Sequence, residues 1–392
     1  MIVVSVLFWI SVFIMFFSMI GYPAVLLLLE KIMKPAENKR AEAYCPEVTY
    51  MIVAHNEEKV IAKKLENALK LDYPKEKLHI LVASDNSTDA TNDIVNEFIR
   101  NYPDYRIELY TAKQRKGKTN AQNEAQKVAT GEILVMTDAN AMVQPEAIKE
   151  LVAYFAEEDV AYVCGRLMYS DSAEGSTGDS ESTYWKLDLK MRDIESRIQT
   201  ITAGNGALYA CRNEDYIDFP PIECHDSSMP LEYGRRGRRC LYNPSAIAVE
   251  KAGDSNEDEF KRKVRMSRDI LSAPGNFLKT CNVFKYKWFS FFYFGHRTCR
   301  NHLWLAHSLA LLANIALVIL TPNPFWIVMG ILQVVAYALA GAGIAFKISF
   351  APVRMLAYYV MTVVAQLMGV RNILTGRAKP FWEVVESTRN AQ

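Results

Sequence analysis

The stretch ATGEILVMTDAN, residues 129–140, contains a short apolar run followed at once by polar side chains. The run ILVM has the length and apolar character of a buried strand, and Asp138, Ala139 and Asn140 come where that strand would end. Ligands bind beyond the carboxyl ends of strands in open α/β sheets. The stretch therefore predicts both a strand and a binding site.

The same arrangement occurs twice earlier in the chain. Residues 48–53 (VTYMIV) are followed by His55 and Glu57, and residues 79–84 (HILVAS) are followed by Asp85. The elements expected around them are helices at 57–69, 91–99 and 119–129 and a strand at 107–110. This alternation predicts an α/β fold with a parallel sheet and helices on both faces. Three strand ends would then meet at one edge of the sheet.

Apolar and charged residues are distributed unevenly along the chain. Half of the 392 residues are hydrophobic and 23% are charged, but the long apolar runs lie towards the two ends. The formal net charge is +1, so we expect no nucleic-acid partner. The seven cysteines include no CxxC pair, which favours reduced thiols in a cytosolic domain over a disulfide framework.

The N-terminal apolar run predicts a membrane-spanning helix. Residues 2–29 contain no charge, and a span needs about 20 such residues. A signal peptide fits poorly because the run is long and no basic residues precede it. Lys31, Lys34, Lys39 and Arg40 follow directly. The positive-inside rule therefore places the chain after this run in the cytoplasm.

The C-terminal third contains further apolar runs. Residues 303–321 and 324–345 are separated by a Pro-Asn-Pro turn and predict a hairpin of two spans. Residues 351–370 have basic residues on both flanks, which suits an interfacial helix as well as a span. At least three spans are therefore expected. Residues 284–297 mix aromatic and basic side chains, which favours the headgroup layer of a membrane.

Eight motifs in order resemble the family 2 glycosyltransferases, in particular their membrane-bound, cellulose-synthase-like branch. They lie between about residue 45 and residue 270 and read VTYMIVAHNEE, SDNSTDAT, KGKTNAQNEA, ATGEILVMTDAN, ESTYWKLDLKMRDIES, TAGNGALYA, HDSSMPLEYGRRGRRCLYNPSAIAVE and EFKRKVRM. The resemblance implies a Rossmann-like nucleotide-diphospho-sugar transferase domain of the GT-A type, flanked by transmembrane helices. It also implies a nucleotide-sugar donor, with uridine as the favoured nucleotide.

The resemblance and the apolar runs together predict a domain organisation. Its parts are an N-terminal transmembrane helix (1–30), a linker (31–46), a cytoplasmic transferase domain (47–270), an interfacial amphipathic segment (271–300), a C-terminal transmembrane region of two or three helices (301–375) and a cytoplasmic tail (376–392). The chain is expected to be an integral protein of a bacterial inner membrane, in contact with its lipids.

The donor site is implied by the same resemblance. In such enzymes the first strand ends hold the nucleotide, so Glu57 and Asp85 would accept hydrogen bonds from ribose or base. His55 could stack on the base. Lys118 would offer a cation near the sugar or the diphosphate.

The resemblance also implies a metal. Asp138 occupies the first position of the family's DxD motif, which binds a divalent cation, Mg²⁺ or Mn²⁺, at the donor diphosphate. A cation there stabilises the charge that develops on the leaving group. The second carboxylate of the motif is replaced by Asn140, whose amide oxygen can ligate only without charge. We therefore expect a metal site at Asp138 and Asn140.

Inverting transfer needs a general base that deprotonates the acceptor hydroxyl. The family's carboxylate pair reads His225-Asp226 here, which implies that Asp226 is the base. The alternative role for Asp226 is a helix cap. Gly206 closes a Gly-Asn-Gly stretch, where a small residue would let the backbone approach the acceptor or the donor sugar.

Processive relatives carry a QxxRW motif, which reads RKVRM at residues 262–266. Arg265 matches the motif's Arg, while Arg262 stands at its Gln and Met266 at its Trp. Guanidinium groups suit a diphosphate or a lipid phosphate. The alternative is a basic helix face on anionic lipid. The missing Trp favours single or limited addition over polymerisation.

Three functions therefore remain open. The first is inverting transfer of a sugar to a lipid-linked or polysaccharide acceptor at the inner membrane face. The second is a processive polysaccharide synthase. The third is a non-catalytic membrane partner that binds nucleotide sugar, which only Asn140, His225 and Met266 support. The retained carboxylates and Arg265 argue against this third function.

Overall fold

The computed structural model describes residues 1–170, 178–251, 256–321, 323–346 and 348–381, with residues 178–184 and 256 as backbone. Within these ranges the chain forms two compact units. The helical unit consists of residues 1–34, 178–191 and 256–378, and the α/β unit consists of residues 35–170, 192–251 and 379–381.

The described residues form eight strands and fifteen α-helices. The strands are β1 (Val48–Ala54), β2 (Leu78–Ser84), β3 (Arg106–Thr111), β4 (Ile133–Asp138), β5 (Met142–Val143), β6 (Val160–Ser170), β7 (Leu208–Arg212) and β8 (Arg239–Lys251). The helices are α1 (Ile2–Phe16), α2 (Tyr22–Met33), α3 (Ile61–Leu69), α4 (Thr91–Asn101), α5 (Lys118–Gln126), α6 (Ala147–Val152), α7 (Gly178–Ile198), α8 (His225–Arg235), α9 (Asn256–Met266), α10 (Ala273–Thr280), α11 (Val283–Tyr286), α12 (Trp288–Phe292), α13 (Leu303–Leu320), α14 (Pro324–Ala345) and α15 (Ala351–Leu374).

The α/β unit is built on one mixed sheet with the strand order β3-β2-β1-β4-β7-β6-β8-β5. Strands β3, β2, β1 and β4 run parallel, as predicted. The expectation of a wholly parallel sheet is wrong beyond β4, because β7 runs antiparallel to both β4 and β6. The strand–helix alternation on which that expectation rested ends at β4, and antiparallel neighbours need no crossover helix.

The predicted strands are present, but two predicted helices are shorter. Every residue of β1 and β2 is buried, which explains their continuous apolar runs. The helix predicted from residue 57 begins at Ile61, because residues 57–60 form a turn in which the Val60 and Ile61 N–H groups both donate to the Glu57 carbonyl. The helix predicted to reach residue 129 ends at Gln126 and is followed by tighter turns.

Four helical segments in the described part of the chain are long and apolar enough to cross a membrane: Ile2–Met33, Leu303–Leu320, Pro324–Ala345 and Ala351–Leu374. The first is α1 and α2 joined by a π-helical turn at Phe17–Gly21. It packs on the hairpin of α13 and α14, where Phe8 contacts a cluster that includes Leu317 and Trp326. The first three segments coincide with the predicted spans, and the fourth covers the run that the sequence left open.

Candidate active site

Three strand ends meet at one edge of the sheet. Strand β1 lies between β2 and β4, and in this register Ala54 pairs with Ser84 while Val53 pairs with Asp138. The polar residues that follow these strands are therefore neighbours, as the sequence predicted.

The carboxylate of Asp85 organises the loop that leads into α5. It is buried, and its two oxygens accept the backbone N–H groups of Lys116 (3.0 Å) and Gly117 (2.8 Å). Hydrogen bonds to a charged acceptor contribute about 1.5–3 kcal/mol each. Asp85 thus fixes Lys118, the first residue of α5. His55 Nδ1 lies 2.8 Å from the Asp85 backbone oxygen, which places the imidazole beside the same strand end.

The loops after β1 and β2 are joined by hydrogen bonds. The backbone N–H of the buried Glu57 donates to Thr91 Oγ1 at 2.8 Å. Asn56 adopts a φ of 53°, which asparagine tolerates, and its side-chain oxygen accepts the Thr88 N–H at 2.8 Å. The two loops form one layer above the sheet edge. The nucleotide contacts expected of His55, Glu57 and Asp85 stay predictions.

Opposite charges converge next to Gly206. Lys118 Nζ forms an ion pair with Asp138 Oδ1 and donates to the Gly206 carbonyl oxygen at 3.0 Å. A Cβ added at Gly206 would lie 3.0 Å from Lys118 Nζ. It would also lie 3.7 Å from Asp138 Oδ2 and 3.8 Å from Asp226 Oδ2. We call Lys118, Asp138, Gly206 and Asp226 the charged centre.

Lys118 keeps its charge in this setting. Burial is the largest influence and lowers the pKa of Lys118, but attraction to Asp138 and Asp226 outweighs it, so the net shift is upward. The ammonium therefore persists through neutral pH. It offsets the repulsion between two carboxylates that face the same space.

Asp226 lies in the first turn of α8. The residue that caps this helix is Cys224, without a side-chain cap bond, so the capping alternative for Asp226 is wrong. The Asp226 backbone carbonyl accepts the Gly204 N–H at 2.7 Å, which ties the start of α8 to the Gly-Asn-Gly stretch. A carboxylate in the first turn of a helix is also stabilised by the helix dipole.

His225, beside Asp226, is buried and neutral. Its Nδ1 lies 3.0 Å from Gln122 Oε1 and its Nε2 lies 2.9 Å from Tyr216 Oη. Burial, reinforced by the nearby charge of Lys118, lowers the pKa of His225 to about 3. The sequence left open how this histidine acts on Asp226. Because the imidazole is uncharged at neutral pH, it adds no charge to the site.

Lys64 is a buried cation close to Asp138 of the charged centre. It was not singled out from the sequence. It is fully buried, and its Nζ donates to Thr137 Oγ1 at 3.0 Å and to the Ala141 carbonyl. Burial lowers the pKa of Lys64 to about 7. The available signal was its position on the apolar face of α3, between Ile61 and Ala68.

The oxygen ligands present here fit a divalent metal ion that is also bound by a substrate. Asp138 and Asn140 are half-buried at the end of β4. Within the described ranges, no group of three or more His, Cys, Asp or Glu side chains could hold a metal by itself. Mg²⁺ is commonly bound by one or two carboxylates together with substrate phosphates and water. Asp138 Oδ2, on the side of Gly206, and the Asn140 amide oxygen suit such a site.

The predicted phosphate ligands Arg262 and Arg265 belong to the helical unit, on α9. Arg262 Nε lies 2.6 Å from Glu259 Oε2, and Lys263 pairs with the same carboxylate. The positive charge of residues 262–266 is therefore partly neutralised by Glu259 of the same helix. A diphosphate or lipid-phosphate role for the two arginines stays a prediction.

The segment after α15 contacts the loop that Asp85 holds. Gly117 has a φ of 98°, and a Cβ there would lie 2.5 Å from the Pro380 carbonyl oxygen. The Arg115 guanidinium lies 4.6 Å from the centroid of the Phe381 ring. Pro380 and Phe381 thus pack directly against residues 115–117, inside the α/β unit.

Comparison with curated proteins finds relatives that match part of the chain. It is 28% identical over 225 residues to a β-monoglucosyldiacylglycerol synthase of Nostoc sp., covering 55% of this chain and 47% of that protein. It is 28% identical over 141 residues to a poly-β-1,6-N-acetyl-D-glucosamine synthase of Staphylococcus epidermidis, covering 36% of this chain and 31% of that protein. The chain spans about half or less of the length of these relatives.

A solved structure confirms the fold. A mannosyltransferase from Pyrobaculum calidifontis, in complex with GDP-Man and Mn²⁺, aligns with a TM-score of 0.67 at 23% identity, over 92% of this chain and 99% of that one. The predicted GT-A type domain flanked by long apolar helices is therefore correct. The model of the family described as Glycosyl transferase family 2 matches residues 49–213, a range that ends before Asp226. Residues 49–213 are thus similar to glycosyl transferase family 2.

Proposed function

We propose that this protein is an inverting glycosyltransferase that moves a sugar from a nucleotide-diphosphate donor to a lipid-linked or polysaccharide acceptor at the inner face of the membrane. The observation that carries the proposal is the charged centre. One ammonium and two carboxylates surround the open side of Gly206, at the edge where three strands of a family 2 domain end. A UDP-sugar is the donor that the family resemblance favours.

Each residue of the charged centre would have a separate role in the reaction. Asp226 would accept the proton of the acceptor hydroxyl while that oxygen attacks the anomeric carbon from the face opposite the diphosphate. A single displacement of this kind inverts the configuration at that carbon. Lys118 would contact the diphosphate and balance its negative charge. Asp138 and Asn140 would hold Mg²⁺ or Mn²⁺, which supplies further charge stabilisation to the leaving group when bound.

Two relatives and one side chain of this protein bear on the acceptor class. The Nostoc relative is named for a diacylglycerol product and the Staphylococcus relative for a polysaccharide. Met266 stands where processive relatives carry Trp, and its side chain is 66% exposed. We therefore favour single or limited addition to a membrane lipid over polymerisation. We also propose membership of the cellulose-synthase-like branch, from the resemblance of the eight motifs and from the long apolar helices that flank them.

A donor panel on the purified full-length protein tests the proposal. UDP- and GDP-linked sugars would each be incubated with membrane lipid extract, in Mg²⁺, in Mn²⁺ or after metal removal with EDTA. We expect one donor class to release nucleoside diphosphate, and EDTA to lower that rate by about tenfold or more, since one metal contact contributes several kcal/mol to the transition state. Donor binding without turnover under every condition would favour the non-catalytic alternative.

The Gly206→Ala variant should lose turnover while it keeps its fold. The added methyl group would lie 3.0 Å from Lys118 Nζ, in the space that the charged centre surrounds. Misplacing a reacting group by about 1 Å can cost about 100-fold in rate, so we expect kcat to fall by about 10- to 100-fold. Gly275→Ala is the matched control, because a Cβ at Gly275 meets nothing within 4 Å. Equal rates for the two variants would contradict the placement of substrate beside Gly206.

A further inference from the structure

The fourth long apolar helix is α15. We propose that α15 lies in the headgroup layer on the side of the α/β unit and does not cross the membrane, although its length and composition would allow it. This inference rests on the membrane location proposed above, but not on the transfer chemistry. Three independent sets of contacts carry it.

The first set of contacts joins the two helices of the hairpin, α13 and α14. Asn314 Nδ2 donates to the Trp326 carbonyl at 3.1 Å, and His307 Nδ1 lies 2.7 Å from Tyr337 Oη. The two helices are therefore antiparallel along their length, and the chain leaves α14 on the side where it entered α13. No described residue between β8 and α13 belongs to a helix that could span a membrane. The chain therefore enters α15 on the side of the α/β unit.

The chain also leaves α15 on that side. Pro380 and Phe381 contact Gly117 and Arg115 of the α/β unit. Residues 375–379 alone join α15 to Pro380, and they can reach about 18 Å when fully extended. The hydrocarbon core of a bilayer is about 30 Å thick. A crossing α15 would leave its end on the far side, from which this linker could not return.

The second set of contacts pairs α15 with a highly charged helix. Tyr358 Oη donates to Glu259 Oε1 at 3.4 Å, and Lys263 Nζ lies 4.3 Å from the centroid of the Tyr358 ring. Further along, a Cβ at Gly369 would lie 2.5 Å from Ser267 Cβ.

These contacts cover the middle of α15, from Tyr358 to Gly369, which is about 16 Å of helix. The partner helix α9 has the sequence NEDEFKRKVRM. Each charged side chain at the centre of a bilayer costs about 2.5–3.5 kcal/mol or more. If α15 spanned the bilayer, it would carry α9 into the hydrocarbon core. The middle of α15 must therefore lie outside that core.

The third set of contacts is with the hairpin itself. Tyr359 Oη lies 2.7 Å from His307 Nε2, and Gln366 accepts the Trp304 N–H at 3.1 Å. Val353 lies against Gly343. All three partners are near the ends of α13 and α14 that lie away from the turn between them. Helix α15 therefore crosses the base of the hairpin.

The free face of α15 suits a lipid surface. Val364, Leu367 and Leu374 are exposed and share one helix face with the exposed Arg371. An apolar stripe with a basic residue beside it matches the boundary between acyl chains and headgroups. The partner of this face is therefore the leaflet nearest the α/β unit.

Thiol labelling of the full-length protein in membranes tests the proposal. In a Cys45→Ser, Cys224→Ser and Cys281→Ser background, which removes the exposed and the partly exposed native thiols, one variant carries Thr375→Cys after α15 and another carries Thr321→Cys at the hairpin turn. A membrane-impermeant maleimide is applied to intact cells and to inverted vesicles. We expect the Thr375→Cys protein to label at least tenfold more in inverted vesicles, and the Thr321→Cys protein to label at least tenfold more in intact cells.

Labelling of the Thr375→Cys protein from the outside of intact cells would overturn the proposal. Arg377→Cys provides a second position after α15 and should give the same pattern as Thr375→Cys. Labelling after detergent solubilisation checks that each thiol is reactive in the folded protein. No step of this assay uses a sugar donor, so the outcome is independent of the proposed activity.

Discussion

Asp226→Asn should lower kcat by about 10²- to 10⁴-fold and leave the Kd for the donor nearly unchanged. The substitution keeps the shape of the side chain and removes only its ability to accept a proton. The carboxylate faces the same space as Gly206 and Asp138, while the fold contact of the residue is made by its backbone carbonyl with the Gly204 N–H. The amide should therefore be tolerated structurally.

Two measurements separate catalysis from binding in this variant. Release of nucleoside diphosphate under saturating donor reports kcat, and calorimetry with the nucleoside diphosphate reports affinity. Asp218→Asn is the matched control, since Asp218 is an exposed carboxylate on the same stretch of chain. Full turnover by the Asp226→Asn protein would remove Asp226 from the role of general base.

The neighbour of Asp226 simplifies the interpretation of such rates. Burial lowers the pKa of His225 to about 3, so this imidazole stays neutral over the pH range in which an enzyme assay is run. Loss of activity between pH 8 and pH 5 then cannot be attributed to protonation of His225. The His225 ring is uncharged and is positioned by Gln122 and Tyr216.

The sequence predicted those features that depend on local pattern. The strands that end at Ala54, Ser84 and Asp138 were identified because apolar runs of strand length stop at polar residues. Their convergence followed from a general property of parallel sheets. The candidate site at one sheet edge could therefore be located before any contact was known.

Features that depend on long-range pairing were not predicted. The antiparallel strand β7 pairs with β4 across 70 or more residues of chain, and no local signal fixes its direction. Lys64 appears in the sequence as one lysine among several on an amphipathic helix. Its burial follows only from the close approach of α3 to Thr137 and Ala141. The side of the membrane on which α15 ends likewise depends on contacts made by Pro380 and Phe381.

The charge of Lys118 is the other feature with a large expected effect. Lys118→Met should weaken binding of the nucleoside diphosphate by about 10- to 100-fold, since a charge-assisted hydrogen bond contributes about 1.5–3 kcal/mol. The thioether chain preserves the length and packing of the lysine stem. The loss should be similar from pH 6 to pH 9, because the net upward shift in the pKa of Lys118 keeps the ammonium charged throughout.

The same variant should bind metal more readily. Removal of the ammonium frees the Asp138 oxygen with which it pairs, and it removes the cation that offsets the repulsion between Asp138 and Asp226. The concentration of Mn²⁺ needed for half-maximal binding should therefore fall as donor affinity falls. Lys116→Met is the matched control, because it removes the same charge from the same loop while the Lys116 backbone N–H still donates to Asp85. If both variants weakened nucleotide binding equally, the effect would come from the overall charge of the loop, and Lys118 would lose its specific role at the diphosphate.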